Sequence, residues 1–294
     1  MFAISGVTGQ VGGAAARALL AAGHPVRAIV RDESKAAPWR ALGAEIAVAS
    51  VQDTEALTAA FAGTEGVFAM IPPDFAPSRE FPGARIAASS IVRALMAAKP
   101  SKMVALSSIG GHRESGLGLI TQVRLFEDAL AHAAMPTAIL RPAWFMENSV
   151  WDIAPAQETG IMSSFLQPLD QPFPMIATDD IGKVIAQTLT QTWQGRRVIE
   201  IDGPQRYTQH EIAALLGGVL GRKVTAQPVP RDQWEAIFRA QGTDWPTPRI
   251  EMIDGFNRGW IEFEAFGVNE RVTGTTRYET VLAQLAERVA VSAA

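Results

Sequence analysis

The sequence predicts an α/β protein, a doubly wound parallel sheet with helices on both faces and a smaller, mostly helical second lobe. In the first half of the chain, short apolar strands alternate with helical stretches of about 10–15 residues, a pattern typical of right-handed crossovers between parallel strands. From Trp151 onward the alternation is lost. Four prolines fall between Trp151 and Thr178, which indicates an excursion from the sheet.

Six strands and five helices are predicted before that point. Apolar runs predict strands at Phe2–Ser5, Val26–Val30, Ala44–Ala49, Gly66–Ile71, Lys102–Ser108 and Thr137–Arg141. Apolar residues at helical spacing, often with a capping residue or a terminal glycine, predict helices at Val11–Ala22, Ser34–Leu42, Asp53–Gly63, Ile86–Ala98 and Gln122–Ala133.

The second half contains one more strand for the sheet and then mainly helices. A capped helix is predicted at Asp179–Gln191, followed by a strand at Arg197–Ile201. After Gly203 the pattern is helical, at Gln209–Leu220 and Arg231–Ala240, with a short extended piece between them. We therefore divide the chain into a sheet domain, residues 1–150 plus 179–202, and a smaller lobe, residues 151–178 plus 203–294.

Composition excludes several classes of function. The 294 residues are 48% hydrophobic and include no cysteine, which permits a sizeable core and excludes disulfide frameworks and thiol catalysis. The formal net charge of −4 argues against nucleic-acid binding. No apolar run approaches the roughly 20 residues of a membrane span, and no secretion signal follows Met1, so we expect a cytoplasmic protein.

The segment GVTGQVG, Gly6–Gly12, lies between the first strand and the first helix. Glycines there let the backbone approach a pyrophosphate, and the free N–H groups of the helix attract its charge, so the segment predicts a Rossmann-type dinucleotide site. The first charge after the second strand is Arg31, and Lys35 follows. An arginine in this place accommodates a 2′-phosphate, which predicts NADPH rather than NADH, whereas Asp32 would suit NADH.

Several segments together resemble the NmrA-like group of atypical short-chain dehydrogenases. The resemblance extends from about Phe2 to Ile201 and is carried by GVTGQVG, RAIVRDESKA, VALSSIGG, TAILRPAWFMEN and MIATDDIGKVIAQTL. The group includes NADPH-dependent quinone and dye reductases, and also redox-sensing regulators without turnover. The resemblance therefore implies a nucleotide-binding protein more specifically than it implies a reaction.

The resemblance also implies roles for individual residues. Those implied to contact the pyrophosphate are Gly6, Thr8, Gly9, Gln10 and Val11, and Arg31 is implied at the 2′-phosphate. Those implied on the nicotinamide side are Met70, Ile71 and Pro72, and the segment Ala143–Asn148, including Ala143, Trp144, Phe145 and Asn148. Ser50 stands where many relatives have an aspartate that binds adenine. Val123 stands where many have a lysine or histidine, one turn before the glutamate matched by Glu127.

The chain lacks the tyrosine–lysine pair of typical short-chain dehydrogenases. It has two tyrosines, and the residues four positions on are Glu211 and Leu282. Without that acid, hydride transfer to an easily reduced acceptor such as a quinone is favoured over ketone chemistry. Ser107 and Ser108 at the end of the fifth strand are the candidate catalytic residues and would orient a carbonyl, or else only cap the strand.

Two functions remain open at this point. The first is an NADPH-dependent oxidoreductase acting on a small electron-poor acceptor, which the aromatic, proline-rich second region favours. The alternative is an NADP(H)-binding redox sensor, which Val123 and the missing tyrosine favour. The four histidines are scattered, so no metal site is predicted. The sequence leaves open a homodimer or a protein partner.

Overall fold

An eight-stranded parallel sheet forms the centre of the molecule. The structure is a computed structural model that describes residues 1–293. Its strands are β1 (Phe2–Ile4), β2 (Val26–Val30), β3 (Glu45–Val48), β4 (Gly66–Ala69), β5 (Lys102–Leu106), β6 (Thr137–Pro142), β7 (Trp144–Phe145), β8 (Ile161–Ser164), β9 (Phe173–Ile176), β10 (Arg196–Asp202), β11 (Arg206–Tyr207), β12 (Thr225–Pro228) and β13 (Glu270–Thr273). The main sheet has the strand order β13-β10-β6-β5-β4-β1-β2-β3. The predicted doubly wound α/β fold is confirmed.

Helices cover both faces of this sheet. They are α1 (Gln10–Ala21), α2 (Ala37–Ala41), α3 (Thr54–Phe61), α4 (Pro82–Ala98), α5 (Thr121–Ala129), α6 (Val150–Thr159), α7 (Thr178–Thr190), α8 (Gln209–Leu220), α9 (Trp234–Ala240), α10 (Thr247–Asn257) and α11 (Tyr278–Ala293). Phe68 of β4 packs in the core with α1 and α7, and its neighbour Val67 packs in a second core with α3 and α4. Successive residues of a strand face opposite sides of the sheet. When both faces are buried, the sequence of each strand is therefore a continuous run of apolar residues.

The sheet has its switch point beside β1. Strands β2 and β4 flank β1, so the chain order reverses there, and ligands of such sheets bind at the carboxyl ends of the strands around that point. The segments that follow β1, β4, β5 and β6 therefore meet at one edge. They contain Gly6, Met70, Ser107 and Ala143, each implicated by the sequence.

Several elements of the second half were not predicted, and α6 and β13 show why. The excursion after Trp151 begins with helix α6, which contains Pro155, and an internal proline removes one hydrogen bond and hides a helix from pattern analysis. Strand β13 pairs in parallel with β10 and adds an eighth strand to the main sheet. Strand β13 lies within residues 203–294, the part of the chain assigned to the second lobe. It becomes a strand only by pairing with β10, which is distant from it in the sequence.

The remaining strands form small sheets outside the main one. Strand β9 pairs with β7 and β11, and β12 pairs in parallel with β8. The predicted helix at Ser34–Leu42 is a 3₁₀ turn at Glu33–Lys35 followed by α2. Among residues 1–293, no helix is long and apolar enough to cross a membrane.

Candidate active site

The glycine loop packs helix α1 tightly against strand β1. Gly6 has φ +66°, and a Cβ atom there would lie 2.9 Å from Sδ of Met70. A Cβ atom on Gly12 would lie 2.4 Å from the carbonyl oxygen of Ser5. Both positions therefore require glycine, and the backbone of α1 begins directly beside the ends of β1 and β4.

The N-terminus of α1 is open to an anion. The first N–H groups of a helix have no acceptor within the helix, and here no side chain caps them and no acidic residue lies in the first turn. Thr8, Gly9 and Gln10 are exposed in front of this end, whereas Val11 is buried. A diphosphate would supply the missing acceptors and interact favourably with the helix dipole, so the loop fits a dinucleotide.

The charged side chains after β2 differ in whether they have hydrogen-bond partners. The side chains of Arg31 and Lys35 are exposed and form no side-chain hydrogen bond or ion pair within the described part of the chain. Asp32 instead accepts a 2.8 Å hydrogen bond from the Ser34 amide, which lowers the pKa of its carboxyl. Two exposed cationic side chains therefore follow β2. Ser50 follows β3 and is also exposed.

The nicotinamide-side segments lie at the ends of β4 and β6. Ile71 and Ala143 are buried and Pro72 is exposed. Trp144 packs edge-on against Phe256 of α10, with ring centroids 5.1 Å apart. Phe145 is half-buried beside it in β7, and Asn148 is exposed at the following turn. Predicted residues from both strands therefore reach the same edge of the sheet.

Ser107 is hydrogen-bonded within the protein. Its hydroxyl donates to Oε1 of Glu127 at 2.5 Å, and Arg141 donates to both Glu127 oxygens at 2.9 and 2.8 Å. The single hydroxyl proton of Ser107 is therefore committed to Glu127 and is not free for a substrate carbonyl. Ser108 is half-buried, and only its carbonyl oxygen is bonded, to the Gly111 amide.

The Glu127–Arg141 pair continues into the C-terminal part of the chain. Nη1 of Arg141 lies 2.8 Å from Oε2 of Glu264, which also accepts a hydrogen bond from Asn269. Burial opposes the charge of Arg141, but its two carboxylate partners raise its pKa above the ordinary value. Glu264 is 123 positions from Arg141, and no local pattern in the sequence indicates this pairing.

Arg124, next to Val123, holds the loop after β5. Its Nη1 donates to the carbonyl oxygens of Gly111, His112 and Arg113 at 3.1–3.3 Å. From the other side, Nε1 of Trp260 donates to the Ser115 carbonyl oxygen at 3.1 Å. Burial lowers the pKa of His112, which makes the neutral imidazole the favoured form at neutral pH.

A second loop, after β4, is tied both to α5 and to the C-terminal lobe. Gln122 donates to the carbonyl oxygen of Asp74 at 2.9 Å, and Thr243 donates to that of Phe75 at 3.4 Å. The Phe75 side chain itself is 58% exposed. The loops after β4 and β5 are therefore both held by hydrogen bonds from α5 and the C-terminal lobe. Within residues 1–293 no cluster of three or more histidine or acidic side chains could hold a metal ion.

The comparison with known families agrees with this geometry. The sequence model of the NmrA-like family matches residues 1–274. The chain belongs to the NmrA-like family. The match includes the glycine loop, the charges after β2 and the segment after β6, and it confirms the resemblance found in the sequence.

Curated relatives of this chain include an azoreductase and a quinone oxidoreductase. An NAD(P)H azoreductase from Xenophilus azovorans is 26% identical over 245 residues, which cover 82% of each chain. Quinone oxidoreductase 2 of Escherichia coli (strain K12) is also 26% identical, over 244 residues, with the same coverage.

Solved structures share the fold over nearly the whole chain. A triphenylmethane reductase from Citrobacter sp., complexed with NADP(H), superposes with a TM-score of 0.80 at 20% identity and covers 97% of this chain and 100% of its own. An NADPH-dependent quinone oxidoreductase from Escherichia coli, complexed with NADPH, has a TM-score of 0.75 at 23% identity, with 100% of both chains covered. At such identities the likeness concerns the fold.

Proposed function

We propose that this NmrA-like protein is an NADPH-dependent oxidoreductase that transfers hydride to a small electron-poor acceptor such as a quinone. The observation that carries the proposal is the uncapped N-terminus of α1 at the switch point, facing the segments after β4 and β6. The names of the two curated relatives, an azoreductase and a quinone oxidoreductase, support the same chemistry. The proposal includes a cytoplasmic location and a small molecule as partner.

The choice of NADPH over NADH rests on the charges after β2. Arg31 presents a planar guanidinium suited to a phosphate, and Lys35 adds a second positive charge. Asp32, which would otherwise favour an unphosphorylated ribose, is held by Ser34. On this proposal Ser50 lies on the adenine side of the cofactor. The sheet domain, residues 1–150 plus 179–202, holds the dinucleotide, and the second lobe, residues 151–178 plus 203–294, closes over the acceptor.

The site favours acceptors that need no built-in acid. A bound reduced nicotinamide supplies the hydride. Ser107 is occupied by Glu127, and Val123 cannot release a proton. Ser108 remains as a group that orients a carbonyl. The reduced acceptor must therefore be an anion stable enough to take its proton from water, which quinones satisfy and simple ketones do not.

Anaerobic mixing of the protein and NADPH with a panel of small quinones tests this proposal. We expect loss of nicotinamide absorbance with quinones and almost none with unactivated ketones. Ser108→Ala should slow quinone turnover by less than about a hundredfold, the low end of the effect of losing a general acid. A preference for unactivated ketones would contradict the assignment.

A redox sensor without turnover is the second candidate. Val123 supports it, because this position on α5 carries no ionisable group, whereas many relatives have a lysine or histidine there. Tight NADPH binding without quinone turnover, under conditions where the related quinone oxidoreductase 2 is active, would favour the sensor over the reductase.

A further inference from the structure

Glu147 is a buried carboxyl group close to the glycine loop, within the segment Ala143–Asn148 but not among the residues of that segment named from the sequence. It lies in the 3₁₀ turn after β7 and is 8% exposed. Its Oε1 accepts two hydrogen bonds from Thr178 at the start of α7, from the amide at 2.8 Å and from the hydroxyl at 2.6 Å. Its Oε2 is buried and has no partner among the described residues.

Thr178 connects this carboxyl to Gln10 in the first turn of α1. The Thr178 hydroxyl oxygen lies 3.4 Å from Oε1 of Gln10. A hydroxyl has one proton, and at 2.6 Å that proton belongs to the contact with Glu147. The Thr178 hydroxyl therefore presents only lone pairs to Gln10 and has no proton to donate to it.

Two oxygens facing each other without a proton between them repel. The oxygen and nitrogen of a glutamine amide have nearly the same shape, so their assignment follows from the hydrogen bonds that they make. When the side-chain amide of Gln10 is rotated by 180°, its Nε2 donates to the Thr178 hydroxyl oxygen, and its Oε1 faces the cleft in front of α1. This arrangement satisfies Thr178 and Gln10 together.

We propose that Glu147 is a positioning residue of the dinucleotide site, which acts through Thr178 to present the Gln10 carbonyl oxygen to the cleft. A carbonyl oxygen accepts hydroxyl protons and repels phosphate oxygens. Gln10 would then recognise a ribose hydroxyl of the cofactor, while backbone amides of the glycine loop hold the pyrophosphate. This inference rests on the proposed function, because it requires that a dinucleotide binds there.

The arrangement holds whether or not Glu147 is ionised. Burial raises the pKa of its carboxyl, against the opposing hydrogen bonds from Thr178. Because Oε1 already accepts two donors, a proton on the carboxyl group lies on Oε2, and Oε1 keeps its role. A glutamine at position 147 retains an Oε1 acceptor, so it is the conservative variant.

A double-mutant cycle on NADPH affinity, followed by nicotinamide fluorescence, tests the proposal. Glu147→Met frees the Thr178 proton for Gln10 and should raise the Kd for NADPH about tenfold, the scale of one hydrogen bond, whereas Glu147→Gln should restore most of the affinity. In a Gln10→Ala background, Glu147→Met should cause no further loss.

An equal loss in both backgrounds would overturn the proposal, because a residue that only stabilises the fold acts independently of Gln10. Thermal melting identifies variants that do not fold. If Glu147→Met fails to fold, the pair Thr178→Val and Thr178→Ser replaces it, since serine retains the hydroxyl and should retain the affinity. If the unmodified protein binds no NADPH, the proposed function fails rather than this inference alone.

Discussion

At the scale of single residues, we expect Arg31 to decide which nicotinamide cofactor is preferred. Because its guanidinium is exposed and has no partner in residues 1–293, its removal should leave the fold unchanged. We expect Arg31→Ala to weaken NADPH binding by about 10- to 100-fold, the effect of losing a hydrogen bond to a charged group, and to change NADH binding little. Calorimetric titration with both nucleotides measures this. Arg40→Ala is the matched control, because Arg40 is an exposed arginine already paired with Glu33. Equal losses for both nucleotides would contradict the assigned role.

At the scale of elements, the contact between α6 and α11 contains a carboxyl that opposes folding at neutral pH. Burial raises the pKa of Asp152 from 3.8 to about 6, against a hydrogen bond from Ser149, whose hydroxyl also lies 2.9 Å from the Tyr278 hydroxyl. A pKa raised by folding means that the folded protein binds the proton more tightly. The resulting stabilisation is complete below about pH 4 and is lost as the pH rises through about 6. Asp152→Asn should therefore raise the free energy of unfolding by about 1–2 kcal/mol at neutral pH and change it little at about pH 4. This energy is smaller than the full pKa shift implies, because the side chain is partly exposed and solvent screens its charge. Urea unfolding at both pH values tests this, with Glu158→Gln on the same helix as control. An equal effect of Asp152→Asn at both pH values would refute the explanation.

At the scale of the whole molecule, buried charges join the sheet to the C-terminal part of the chain. Arg141 of β6 pairs with Glu127 of α5, which is 3% exposed, and with Glu264 before β13. Removing the cation leaves Glu127 buried with the Ser107 hydrogen bond and, as a positive charge, the more distant guanidinium of Arg196 at 3.5 Å. Arg141→Met should therefore lower the free energy of unfolding by about 3–5 kcal/mol, the cost of breaking a buried pair. The double variant Arg141→Met/Glu127→Gln should recover much of this loss in urea unfolding. A double variant no more stable than the single one would show that lost packing, not an unpaired charge, causes the effect.

Local patterns were sufficient for most of the fold. Strand β2 lies at Val26–Val30 and helix α8 at Gln209–Leu220, as predicted, because apolar spacing and flanking turn residues are encoded within each segment. Helix α6 was missed because Pro155 interrupts its pattern, and β13 because its short, half-exposed sequence becomes a strand only beside β10. An edge strand of four residues carries too little local signal to be recognised alone.

The sequence by itself determined the parallel α/β sheet, the glycine loop at its first strand and the two cations after its second. Each of these depends on residues a few positions apart. Only the tertiary structure decided that Ser107 is bound to Glu127, that Arg141 meets Glu264, and that Glu147 reaches Gln10 through Thr178. These contacts join residues 20 to 168 positions apart. The folded sheet brings such residues to one edge, and burial then requires their polar groups to find partners, a condition that no short stretch of sequence expresses.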